Sequence, residues 1–214
     1  MDPRGRRVAQ AELGVATSRA SVAIFLLLGA CSAQGWGDPD PIVVAGAWEI
    51  VARDDPFGEP PAGWACDPSG WGTERFGLEE SLVVRTQLCD FASFSQPITR
   101  RLHRGDRLFL RAWHDPLTAW DTEAGTVAAH LGLAIDGRLV WGVQVPIPNA
   151  GQIVLADVDM PVDVPVGADA VFHVDNHGAN TYHLLEVSVR RPVPAGGDVA
   201  VIPPGYRGPA AWIP

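Results

Sequence analysis

The side chains best able to do chemistry crowd into one stretch, residues 171–189 (VFHVDNHGANTYHLLEVSV), which holds His173, Asp175, Asn176, His177, Asn180 and His183. His173, Asp175 and His177 stand at i, i+2 and i+4, and on an extended strand residues two apart share a face. Imidazole and carboxylate at that spacing can ligate zinc or copper. Asn176-His177-Gly178 reads as a turn, however, which rotates His177 off that face and leaves Asp and Asn to bond turn amides. The stretch therefore reads as a β-hairpin with a polar tip rather than as a metal centre. No cofactor is expected, apart from a structural calcium that oxygen ligands from Asp115, Asp121 and Asp175 could hold.

Catalytic signatures are missing. No G-x-S-x-G surrounds Ser69, Ser81, Ser93, Ser95 or Ser188, and H-E-x-x-H, G-x-x-x-x-G-K and G-x-G-x-x-G do not occur. A carboxylate pair such as Asp121 with Glu123 or Asp175 would need a spacing that only a structure can give. The expectation is a protein without catalytic residues. A metal-dependent enzyme built on the His/Asp cluster is the competing reading.

The elements that must position these residues are strands. Apolar or alternating runs occur at 42–52, 81–88, 107–113, 126–135, 139–145, 153–158, 171–174 and 182–189, separated by turn residues, and no stretch carries a capped helical stripe. Asp136-Gly137 between two alternating runs is a strong hairpin signal. Glycine and proline supply 42 of 214 residues, in keeping with many turns. About eight short strands so spaced predict an all-β antiparallel β-sandwich or jelly roll over residues 42–190. The remainder, 191–214, is a Pro/Gly-rich tail.

If successive strands alternate in direction, strands one, three, five and seven end at one rim. His114, Asp115, Trp120, Asp121 and Glu123 then lie beside Asn149, Gln152, Asn176, His177 and Asn180. His114, Asp115, Trp120, Asp121, Asn176, His177 and Asn180 are accordingly the expected ligand-binding residues. Trp120 brings an indole able to stack on a ligand ring.

The N-terminus looks like an address. A basic opening leads to the apolar run 22–28 and then Gly29, Ala30 and Cys31, the pattern of an export signal too short to span a bilayer. Leu28-Gly29-Ala30-Cys31 resembles the lipobox of bacterial lipoproteins, which implies that residues 1–30 are removed and that Cys31 carries lipid. Residues 31–41 then form a tether, and the membrane becomes a partner through that anchor. In an oxidising compartment the two remaining cysteines, Cys66 and Cys89, are expected to form a disulfide. A strand between them would hold their ends about 27 Å apart, so the segment bearing Cys66 must run down the side of the sandwich or contain a further strand.

From residue 31 onward twelve arginines face 23 acids, a net charge of −11, which argues against a nucleic-acid partner. The body, with an early Gly-Asp-led strand and a late closing pair, resembles galactose-binding-like jelly rolls, and the resemblance implies a carbohydrate-binding module. The expected function is thus a lipid-anchored envelope protein whose sandwich binds a ligand, carbohydrate by default. The alternative is a structural or accessory lipoprotein holding envelope protein partners.

Overall fold

The computed structural model describes residues 35–51, 54–118, 127–176 and 178–193. Cys31, Trp120, Asp121, Glu123 and His177 lie outside the described residues, as does most of the expected signal peptide, tether and tail.

The chain forms strands β1 (Asp40–Pro41), β2 (Glu49–Ile50), β3 (Trp71–Phe76), β4 (Glu79–Arg85), β5 (Phe91–Pro97) and β6 (Arg107–His114). Strands β7 (Val127–Ile135), β8 (Arg138–Ile147), β9 (Gln152–Asp159), β10 (Asp169–Asp175) and β11 (Thr181–Arg190) follow. Two antiparallel sheets result, one ordered β3-β4-β11-β6-β9 with β1 also on β11, the other β2-β5-β10-β7-β8. This is the expected β-sandwich. Its core is the two inner faces, with Phe94, Phe172, Leu133 and Ile135 from one sheet buried with Leu82, Leu108, Leu110 and Tyr182 from the other. Asp136 and Gly137 both take positive φ, 52° and 70°, as a two-residue hairpin turn with the twist of its strands requires.

Three expectations about the strands are corrected. The run 42–52 is not one strand: a 3-10 turn at Ala45–Ala47 separates β1 from β2. Strands β3 and β5 occupy stretches that looked irregular. In β3 four of six residues are polar or glycine on an edge strand, and in β5 a buried Gln96 on the inner face and Phe91 on the outer one break the alternation. The third correction concerns the presumed hairpin 171–189. Strand β10 lies between β5 and β7, whereas β11 lies between β4 and β6 in the opposite sheet. The link between β10 and β11 therefore joins the two sheets instead of closing a hairpin. Both strands are central and largely buried, so the apolar residues on them report double-sided burial rather than a paired ribbon.

The two unforeseen strands fall on either side of the second expected strand, and their effects on direction cancel for every strand after β5. Strand β3 also resolves the tension at the cysteines. Residues 71–76 run away from Cys66 and β4 returns, so Cys66 meets Cys89 in the expected disulfide. Residues 36–41 run antiparallel to 188–192, with Trp36 opposite Pro192 and Asp40 opposite Val189.

Candidate functional site

The rim assembles as strand direction predicts for the residues the structure describes. His114 ends β6 opposite Gln152 and Tyr182, the Asp115 amide donates to the Thr181 carbonyl at 3.1 Å, and Leu117 pairs with Asn149. Asn180 clamps the outgoing chain: its Oδ1 accepts from the Thr118 amide and its Nδ2 donates to the Thr118 carbonyl, both at 2.7 Å. Asn176 donates to the Tyr182 hydroxyl at 2.9 Å. Asp115 accepts from the Trp113 indole at 3.1 Å. His114, Asn176 and Asn180 are buried, so these expected ligand-binding side chains are spent largely on fastening the loops. His114 Nε2 and Asn176 Oδ1 are buried and find no hydrogen-bond partner among the described residues.

A second set of polar groups lies on the outer face of the five-stranded sheet, with His130 and Gln144 open and Ser93 and His173 buried. Residues opposite one another in a sheet project together, so register defines the surface. One row crosses four strands as Ser93, His173, Gly132 and Gly142; the next is Phe91, Asp175, His130 and Gln144. His173 and Asp175 share a face as their i, i+2 spacing requires. Across the rows the Ser93 hydroxyl lies 2.8 Å from His173 Nδ1, and Asp175 Oδ2 lies 3.4 Å from His173 Nε2 and 2.9 Å from His130 Nδ1. Burial pushes the Asp175 carboxyl up, but the bonds and charges of the two imidazoles outweigh it and hold its pKa below the ordinary 3.8.

Phe57 reaches this surface from the long connection after β2. Its ring stacks on His173 at 4.5 Å, and Phe91 meets the same imidazole edge-on at 4.7 Å. The ring occupies the space above Gly132: a Cβ there would lie 2.8 Å from Phe57 Cζ, so glycine is what lets the aromatic descend onto the sheet. The result is a groove of about 360 Å³ lined by Phe57, Leu139, Gly142, His130, Gln144 and His173. Gln144 is exposed, while His130 and Asp175 show 43% and 18% of their side chains. An apolar wall with few convergent polar groups is the usual make-up of a small-molecule site.

A depression of about 350 Å³ on the other sheet, between Trp48 and Leu185, is less suited. Its arginine, Arg111, is already paired with Glu79 at 2.8 Å and Glu186 at 3.4 Å. Among the described residues no group of three or more His, Cys, Asp or Glu side chains is placed to hold a metal ion.

His183, the remaining histidine of the opening stretch, faces away from the groove. It lies on the six-stranded sheet, 3.1 Å from the Ser81 hydroxyl and 4.8 Å from the Phe76 ring. Burial, helped by Arg85, lowers its pKa below 6.5 against the pull of Asp115 and Glu74. A depressed value means that folding favours the neutral ring. The stability involved is complete above pH 6.5 and is lost as pH falls through the folded-state value. Thermal unfolding of the wild type at pH 7 and pH 5 should therefore show a larger loss than His183→Gln shows; equal losses would contradict this placement.

The groove was only half legible in the sequence. His173 and Asp175 stood out, whereas Phe57, His130, Gln144 and Ser93 did not. The Asp-Gly turn signals the pairing of β7 with β8, but a bulge between Leu133 and Ala134 shifts the register by one residue. Without it His130 would face Val143 instead of Gln144.

No protein-family model matches the sequence, and no curated protein is significantly similar to it. Solved structures with a similar chain course include the mannan-recognising carbohydrate-binding module TmCBM27, at 7% identity and TM-score 0.42, covering 74% of this chain and 98% of that one. The module TmCBM61, solved with β-1,4-galactotriose, is 11% identical with a TM-score of 0.37 over 66% of this chain and 86% of its own. The arabinose-bound MgGH51 α-L-arabinofuranosidase is 10% identical with a TM-score of 0.40; the match covers 72% of this chain but 24% of the enzyme. At such values the ligand has to be argued from this chain's own residues.

Proposed function

We propose that this protein is a non-catalytic saccharide-binding β-sandwich, held at a membrane by lipid on Cys31, and that the sugar enters the groove beside Phe57. The observation that carries the reading is the pair of in-register rows. With Phe57 packed on them, they set a partly exposed aromatic ring beside a glycine strip, with an imidazole and an amide at the border and a carboxylate bonded behind the imidazole. A sugar ring has an apolar face of C–H groups and a rim of hydroxyls, and such a surface meets both.

The test is a glycan array followed by calorimetry on the hits. Phe57→Ala and Gln144→Ala, each at a position that is not fully buried, are expected to weaken binding at least tenfold, about 1.4 kcal/mol. The same full-length chain should partition into membranes, and Cys31→Ser should release it. Unchanged affinity in both groove variants would remove the groove as the site.

The unpartnered His114 Nε2 and Asn176 Oδ1 favour a second reading, in which the ligand docks at the rim. That reading predicts loss of binding in Trp120→Ala with the groove variants unaffected.

A further inference from the structure

We infer that the groove presents hydrogen-bond acceptors and a negative charge, so that it selects saccharides that donate, neutral or amino sugars, and rejects uronic and sulfated ones. This rests on the groove being the sugar site.

A carboxylate has no proton to give, so each imidazole nitrogen facing Asp175 Oδ2 must carry hydrogen; two lone pairs at 2.9 or 3.4 Å would repel. His173 then holds its proton on Nε2. Its Nδ1 is left as an acceptor, and the Ser93 hydroxyl at 2.8 Å is the donor that satisfies it. His130 likewise holds its proton on Nδ1. In its neutral form the other nitrogen, Nε2, carries a lone pair at the border of the groove. Ser93 and Asp175 are thus positioning residues, and His130, backed by the Asp175 carboxylate, forms the face a ligand meets.

Charge points the same way. Asp175, bonded to the lining residues His130 and His173, has a lowered pKa that keeps a carboxylate behind the groove, and among the described residues no arginine lines it. On β8 the described arginine is Arg138, which adjoins the groove-lining Leu139 but is not itself part of the lining. The connection that carries Phe57 adds Asp54, Asp55 and Glu59. A sugar carboxylate or sulfate would enter with like charge ahead of it and acceptors around it. A hydroxyl or ammonium would find partners.

Two measurements test this on the full-length chain. Long-range proton–nitrogen spectra of histidine-labelled protein at neutral to mildly alkaline pH should show His130 protonated on Nδ1 and bare on Nε2, and His173 the reverse. An Nε2–H tautomer at His130 would overturn the inference whatever the protein binds. On the array, uronic and sulfated oligosaccharides should bind at least tenfold more weakly than neutral or amino ones. The exposed substitution Gln144→Arg should narrow that gap by admitting the anionic set. Anionic glycans bound by the wild type as tightly as neutral ones would overturn the selectivity and leave the saccharide reading standing; binding of no glycan at all would remove both.

Discussion

Asn180→Ala is expected to destabilise the protein by about 2–3 kcal/mol, lowering the melting temperature by roughly 5–10 °C. The side chain is buried and bonds both backbone groups of Thr118, while the Asn180 backbone amide donates to the Thr86 hydroxyl at 3.1 Å. Truncation removes two hydrogen bonds between the segment after β6 and the segment before β11 and opens a space where β6 leaves the sandwich. Because Thr118 is exposed, water can reach its freed groups, which keeps the cost below that of a fully buried pair. The loss should appear in thermal or urea unfolding, with sugar affinity unchanged, since Asn180 does not line the groove. A variant as stable as the wild type would mean that the clamp contributes nothing.

Replacing Cys66 and Cys89 with serine should cost about 3 kcal/mol, the loop-closure entropy of a crosslink spanning 23 positions. The effect belongs mainly to the unfolded chain. In the folded one, Ala65 and Asp90 still exchange hydrogen bonds, at 2.9 Å to the Asp90 carboxylate and 3.1 Å to the Ala65 carbonyl, and the Asp67 amide donates to the Leu88 carbonyl at 2.7 Å. The segment leading from Phe57 to residue 66 therefore stays tied to the start of β5. The double variant should melt earlier yet bind sugar within twofold of the wild type at 25 °C. Loss of binding under native conditions would show that the disulfide, rather than those bonds, holds Phe57 in place.

The sandwich was legible because alternation and turn chemistry are local properties. Asp136-Gly137 dictated a turn, and Leu131, Leu133 and Ile135 dictated which face of β7 is buried. Partner strands are not local. The run 171–189 looked like a hairpin because two apolar segments flank a short polar link, and a link of five residues can join two sheets as readily as two neighbouring strands. Only burial on both faces of β10 and β11 separates the two outcomes. The same limit hid the groove. Ser93, His130 and Gln144 come from three strands, and they meet His173 and Asp175 through register, which a single bulge alters. Phe57 belongs to an irregular connection whose course is set by what it packs on, the imidazole of His173 above Gly132.

The rim was foreseen for a reason that did not depend on its chemistry. Strand direction brought His114, Asp115, Asn176 and Asn180 together, yet convergence alone does not make a binding site. Three of the four are buried, and Asn180 and Asn176 are occupied with Thr118 and Tyr182. Open polar groups beside an aromatic ring lie instead on the sheet face.

The most direct test of the groove is an amide chemical-shift titration of the full-length chain with an oligosaccharide taken from the array. The shifts are expected to concentrate on 130–132 and 142–144, with the Phe57 amide following. Shifts confined to Asp115, Asn149 and Asn176, with the amides of Gly132, Gly142 and Gln144 unmoved, would contradict it and return the ligand to the rim.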